Sequence, residues 1–250
     1  MSATYRSIAI LGASGNVGQE LLAALALHPR FSELELRVLT RNSTIALDGK
    51  LPWLNLSTYT IDYDSDDVDA QLANALRGVE VVVSVVGDDS GLGSKDVPHT
   101  GHLPGFQAQE KVARAAKTAG ISLFVPAEYG YPTHTIDPDA SHFLVGKRLF
   151  LDTLNELQIP YLLLYTGSFP KIEPPRSSLP DCTPETPKGS PPFETTRFHL
   201  AAYLARLILD RGAPGIYRIL GVKRDRLATV DGKETWVLDE GEGLKVSGEA

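Results

Sequence analysis

The chain reads as an α/β protein built on a doubly wound, mostly parallel sheet with a short carboxyl-terminal lobe. Three observations predict this. A glycine-spaced turn, "LGASGNVG", joins a short apolar run to a helix-patterned run near the amino terminus. Apolar runs of strand length then alternate with segments of helical period as far as residue 167. The strands are nearly continuous in Val, Ile and Leu, as strands buried on both faces of a parallel sheet are. The architecture these imply is Rossmann-type.

The elements follow in order. "SIAIL" (7–11) is a buried strand with a glycine stop. The helix after it places Val17, Leu21, Leu22 and Leu25 on one face and ends before Pro29. Strands are expected at 34–40 and 56–63, and a helix at 67–78 closed by Gly78. "VEVVVSVVG" (79–87) is the clearest buried strand. A polar, glycine-rich loop covers 88–105. A helix is expected over 106–120, a strand over 122–127, a helix over 143–158 and a strand over 160–167. The stretch 170–194 carries eight prolines and excludes regular helix or sheet. It reads as a wrapping loop or as a lid over a substrate site. A helix (195–212), a short strand "GIYRIL" and a hairpin turning at Asp231-Gly232 complete the chain. The expected division is a dinucleotide-binding domain over 1–169, with the Pro-rich segment and a small substrate-side lobe over 170–250.

Bulk properties narrow the function. The formal net charge of −7 disfavours non-specific binding to nucleic acid or to an anionic membrane. The one cysteine, Cys182, rules out an intramolecular disulfide and leaves little basis for a Cys-based metal site. No apolar run reaches the roughly 18 residues of a membrane helix. The amino terminus lacks a charged region followed by a long apolar core. A cytoplasmic protein is expected.

The turn places Gly12, Gly15 and Gly18 in a GxxGxxG spacing between strand and helix. A tight turn there tolerates positive φ, and a diphosphate can approach a backbone that has no Cβ. The helix start offers unpaired N–H groups and the positive end of its dipole. With Ser14, Asn16 and Val17 these residues form the expected dinucleotide cradle. At the end of the second strand an NAD site usually carries a carboxylate. Here "VLTRN" supplies Thr40, Arg41 and Asn42. A guanidinium suits a 2′-phosphate, so NADP(H) is the expected cofactor rather than NAD(H). Val86 and Gly87 end the fourth strand, where small residues leave room for the adenosine ribose and diphosphate.

With those residues in view, the chain resembles the atypical short-chain dehydrogenase/reductases, in particular the NmrA-like and isoflavone-reductase-like family. "GASGNVG" and "LTR" resemble its NADP-binding pattern. "QEKVARAAKTAGISLFVPAEYG" is similar to its fourth helix and fifth strand. "VGKRLFLDTLNELQIPYLLLYTGSF" is similar to its lysine-bearing helix and sixth strand. The resemblance implies an NADPH-using reductase, or a nucleotide-sensing relative without catalysis. It also implies a catalytic role for Lys147, twelve residues before Ile159-Pro160.

A large group of dinucleotide reductases carries Tyr, three residues, Lys where this chain has Phe143 and Lys147. A phenyl ring has no proton to give, so a tyrosine-based mechanism is excluded and a lysine-based one is not. Lys147 could polarise a substrate oxygen, relay a proton, hold the nicotinamide ribose, or be a plain surface lysine. His142 is an alternative donor. Tyr129, Tyr131, Phe143, Ser168 and Phe169 are expected to line the substrate pocket. Glu128, Tyr129 and Tyr131 lie just past the fifth strand, a position that faces the nicotinamide crevice in this fold, and the tyrosines could equally be packed aromatics. His99, His102 and His134 fall in loops with no carboxylate cluster, so no metal is expected. No Gly-x-Ser-x-Gly elbow is present. Family members place a longer pocket-building part after this point, and "TTRFHL" departs from their pattern. Three functions stay open: a reductase acting on a small molecule, a redox-sensing regulator with a protein partner, and a scaffold with a vestigial site.

Overall fold

The structure is a computed structural model that describes residues 5–41, 56–87, 104–130, 132–139, 144–166, 169, 196–211, 214–218, 226–230 and 233–237. Five strands run parallel: β1 (Ser7–Leu11), β2 (Glu35–Thr40), β3 (Leu56–Thr60), β4 (Val81–Ser84) and β5 (Leu123–Val125). Their order is β3-β2-β1-β4-β5. A sixth strand, β6 (Leu162–Tyr165), lies beside β5 through a parallel bridge between Phe124 and Tyr161. There the Phe124 N–H donates to the Pro160 carbonyl at 2.9 Å. β7 (Gly215–Arg218) pairs parallel with β6. The strand order reverses between β1 and β4, where a doubly wound sheet opens its ligand crevice. The carboxyl-terminal hairpin of β8 (Arg226–Val230) and β9 (Lys233–Val237) pairs Val230 with Lys233, as the expected turn requires.

The pleat sorts the strand residues to two faces. Ile8, Ile10, Val81, Val83, Leu123, Val125, Leu162 and Leu164 belong to one apolar cluster. Ala9, Leu11, Val82, Phe124, Leu163 and Tyr165 belong to the other. Both clusters are buried, which explains why the strands read as continuous apolar runs. The first face is covered by α1 (Asn16–Leu27) and α5 (Arg197–Arg206). The second is covered by α2 (Val68–Leu76), α3 (Pro104–Ala119) and α4 (Val145–Glu156). Pro29 ends α1 by forcing His28 to the extended conformation, φ −72° and ψ 138°.

Several expected strands are longer than those observed. The segment 79–87 forms a ladder only over Val81–Ser84; the buried Val85 still donates its N–H to the Leu11 carbonyl at 2.8 Å before the chain leaves the sheet. The helix expected over 195–212 is α-helical only to Arg206 and ends in a π turn, Leu207–Arg211. Three successive side chains of that turn, Leu207, Ile208 and Leu209, are buried. Its Leu209 carbonyl accepts from Arg30 Nη1 at 2.6 Å, and Arg30 Nη2 donates to the Tyr5 carbonyl at 3.0 Å. Among the described residues no helix is long and apolar enough to cross a membrane.

α5 and β7 follow the division expected at residue 169, yet both contribute to the core. Leu200, Leu204 and Ile208 are fully buried in the same cluster as Leu21, Leu22 and Leu25 of α1. Replacing Leu204 by Ala should lower stability by about 2–5 kcal/mol, the usual cost of emptying a buried leucine site. Leu27, 57% exposed on α1, should tolerate the same change with little effect. Urea midpoints of the two variants check this. A Leu204 variant as stable as wild type would remove α5 from the core.

Candidate functional site

The glycine turn sits where β1 ends, next to the exit of β4. Gly12 has φ +89°, and a Cβ there would stand 2.9 Å from the backbone of Val85 and Val86. The turn closes through the Gly15 N–H donating to the Gly12 carbonyl at 3.0 Å. Gly18 is buried in the first turn of α1. A Cβ on it would lie 2.4 Å from the Gly12 carbonyl oxygen and 2.6 Å from Ala13 Cα. Those two glycines are therefore demanded by the chain itself. Gly15 is less constrained: its φ is −73°, and among the described residues its Cβ would meet the Gly12 carbonyl oxygen at a tight 3.3 Å. It caps α1 without a side-chain acceptor, and no acidic residue stands in the first turn. The amides of Asn16, Val17 and Gly18 have no intrahelical acceptor at that end. Ser14, Gly15 and Asn16 are exposed, and Gln19 Nε2 steadies the turn by donating to the Ser14 carbonyl at 3.1 Å.

The neighbouring strand ends carry the other expected cofactor residues. Register pairs Leu11 with Leu39 and with Ser84. Thr40, Arg41, Val86 and Gly87 thus stand on the same carboxyl edge as Gly12. Thr40 is half-buried, and its carbonyl accepts from the Ile61 N–H at 2.7 Å. Arg41 is exposed. Its charge reaches the buried hydroxyl of Tyr63, whose pKa is raised chiefly by burial and lowered in part by that guanidinium. Among the described residues the Tyr63 hydroxyl has no hydrogen-bond partner. Val86 packs on the α2–α3–α4 side and Gly87 is exposed.

Lys147 is the third residue of α4, and its Nζ donates to the Ala127 carbonyl at 2.5 Å. That carbonyl lies just past β5, so the lysine belongs to the same end of the sheet. Glu128 follows, 1% exposed, with Oε2 accepting from Thr133 Oγ1 at 2.6 Å. Burial raises the Glu128 pKa, while the Lys147 charge and the Thr133 hydrogen bond pull it down by less. Thr133 Oγ1 lies 3.3 Å from Tyr165 Oη, and His134 Nδ1 lies 3.0 Å from the same oxygen. The His134 ring stacks on Tyr165, centroids 5.2 Å apart. Burial pushes the Tyr165 hydroxyl up to about 12.

Tyr129 donates its hydroxyl to the Ser84 carbonyl at 2.9 Å, and its ring packs against the α1–α5 side. Phe169 packs on that side too, with the Arg197 guanidinium 5.7 Å from its ring centre. Tyr131, His142, Phe143 and Ser168 lie outside the described residues, as do Asn42, His99, His102 and Cys182. Among the described residues no group of three or more His, Cys, Asp or Glu is placed to hold a metal. Sequence reading named Glu128 only as a neighbour of the crevice and missed Thr133 and Tyr165. The "AEYG" motif after β5 was the available signal for the first. The other two needed the pairing of β6 with β5.

The raised Glu128 pKa has a consequence for stability. The folded chain binds this proton more tightly than the unfolded chain does. The contribution is fullest below the ordinary glutamate range and is lost as pH rises through the elevated folded value. Glu128→Gln keeps an acceptor for Thr133 and removes the titration. Its stability relative to wild type should therefore rise as pH increases from acid to neutral, as urea midpoints measured across that range would report. A difference that does not change with pH would contradict the raised value.

The NmrA-like family model matches residues 4–178. A solved structure of AtPrR2 with NADP+ and (+)pinoresinol superposes on 87% of this chain and 70% of its own, with TM-score 0.60 and 19% identity. Triphenylmethane reductase from Citrobacter sp. covers the same shares, 87% and 70%, with TM-score 0.56 and 17% identity. At such identities the likeness is one of fold. Mitochondrial malate dehydrogenase of Brassica napus is 34% identical over 86 residues, 34% of this chain. That match spans 24% of the dehydrogenase, so the chain corresponds to about a quarter of its curated relative. Over most of its length, then, and with a doubly wound sheet around a glycine turn, the chain belongs to the NmrA-like family.

Proposed function

We propose that the chain is an NADPH-dependent reductase that delivers hydride to an activated C=C or C=O of a small organic substrate. The observation that carries this is the first turn of α1. Its unpaired amides and its lack of an acidic side chain suit a diphosphate at the β1–β4 reversal. Arg41 would take the 2′-phosphate, with Thr40, Val86 and Gly87 beside the adenosine ribose. The NADP+ in the AtPrR2 structure supports this choice. When bound, reduced nicotinamide supplies the hydride. The chain supplies the rest. Lys147, held at the end of β5, would face the ribose or the substrate oxygen and stabilise the charge developing there. Tyr129, Tyr131, Phe143, Ser168 and Phe169 would wall the substrate side.

A second reading, an NADP(H)-responsive regulator acting through a protein partner, is favoured by a specific observation. The Lys147 ammonium and the Tyr129 hydroxyl both already have acceptors within the chain.

Calorimetric titration with NADPH and NADH is the first test. NADPH should bind at least about tenfold more tightly, a difference of roughly 1.4 kcal/mol, and Arg41→Ala should erase the gap. Absence of binding would remove both readings. Lys147→Ala should then slow NADPH oxidation by about a hundredfold or more on any carbonyl or enone that the wild type reduces. Tight NADPH binding without turnover on such a panel would favour the regulator.

A further inference from the structure

One position of α3 breaks the pattern of its buried face. Gln109, Val112, Ala113 and Ala116 share that face, at the spacing i, i+3, i+4 and i+7. The last three are apolar. Gln109 is polar and 1% exposed. Its side chain supplies what the sheet stops supplying. The ladder between β4 and β5 ends at the pair Val83 and Val125. Two residues on, the Ala127 N–H donates to Gln109 Oε1 at 3.0 Å, a buried contact that stands in for a strand acceptor. Ala127 also gives its carbonyl to Lys147 Nζ at 2.5 Å. Among the described residues, Ala127 thus makes its backbone hydrogen bonds with side chains, one from α3 and one from α4. The next residues are fixed separately, Tyr129 through the Ser84 carbonyl and Gly130 through its carbonyl, which accepts from the Thr166 N–H at 3.1 Å.

We propose that Gln109 is a positioning residue for Lys147: by fixing Ala127 it fixes the carbonyl that aims the ammonium. This rests on the reductase reading. A carbonyl orients an ammonium through its dipole and does not cancel its charge. The charge therefore stays available to a substrate oxygen or to the nicotinamide ribose. Lys147 carries that charge on a flexible four-carbon stem. Such a stem delivers it to one place only when its anchor is held from behind. Gln109 is that hold. It acts through Ala127 and, buried as it is, touches no substrate itself.

Three variants of the full chain test this. Gln109→Leu removes the acceptor and keeps a side chain of similar size. Gln109→Glu keeps an oxygen at the same place. Val112→Ala loosens the same helix at a fully buried site and leaves the hydrogen bond alone. The first readout needs no cofactor. It is the rate at which formaldehyde with borohydride methylates Lys147, followed by mass spectrometry. That rate should rise about threefold or more in Gln109→Leu, fall back toward wild type in Gln109→Glu and stay at the wild-type value in Val112→Ala. An unchanged rate in Gln109→Leu, or an equal rise in Val112→Ala, would overturn the positioning role. The second readout is turnover of a carbonyl or enone that the wild type reduces. Gln109→Leu should lower kcat about tenfold with KM and NADPH affinity unchanged, and Gln109→Glu should restore most of it. Gln109→Asn, which draws the acceptor back by one methylene, gives the same test if Gln109→Leu does not fold. Full turnover in the variants that lose the contact would overturn the role of Gln109 and leave the reductase reading in place. A wild type that binds NADPH and reduces nothing on the panel would overturn the reductase reading, and the part of Gln109 in turnover with it.

Discussion

The fold hangs on one backbone contact. With Gly18 packed against the Gly12 carbonyl and Ala13, α1 descends onto the end of β1 at a distance that any side chain would forbid. That approach sets Leu21, Leu22 and Leu25 on the Ile8–Ile10 face, and α5 then packs over α1. It also turns Gly12 against the exit of β4, so the helix start stands at the strand reversal. A single steric constraint thus fixes both the core on one side of the sheet and the geometry of the candidate nucleotide site.

Three arginines illustrate how position decides what a guanidinium does. Arg37, in the middle of β2, donates to the Ala75 and Arg77 carbonyls at 2.9 and 2.8 Å and pairs with Glu35, so it ties the end of α2 to the sheet. Arg30 does the same for the π turn after α5. Arg30 spreads two nitrogens over two carbonyls, while Arg37 gives Nη1 to both of its carbonyls and Nε and Nη2 to Glu35, a division that the planar fork allows. Arg41, four residues beyond Arg37 on the same strand edge, stands exposed where β2 ends. The two structural arginines anchor β2 and the turn after α5, and the selector role proposed for Arg41 would rest on that frame.

Much of this was legible in the residues. Fully buried strands announce themselves through unbroken Val, Ile and Leu, and "GASGNVG" between a strand and a helix has few other physical uses. Strand ends were less legible, because Val85 is apolar for its place in the core and lies just past the ladder. The place of α5 was hidden by composition. The Pro-rich stretch before it reads as a boundary, while its packing partner α1 lies at the other end of the sequence. The cluster behind Lys147 was only partly visible. Glu128 was marked by its motif, but a hydroxyl's direction is not written in sequence: Tyr129 turns to the Ser84 carbonyl, and Tyr165, read as part of an apolar strand, reaches Thr133 instead.

The pairing of α1 with α5 bears on how the chain is made. Synthesis proceeds from the amino terminus, and domains fold as their parts emerge. β1, α1, β2 and β4 can assemble early, with α2 and α3 closing one face from nearby sequence. The other face waits. Leu21, Leu22 and Leu25 stay without their cover until Leu200, Leu204 and Ile208 have left the ribosome. A late-closing contact of such long sequence separation slows folding. The nascent chain therefore carries an open apolar face until α5 emerges, and it is there that a chaperone would find it.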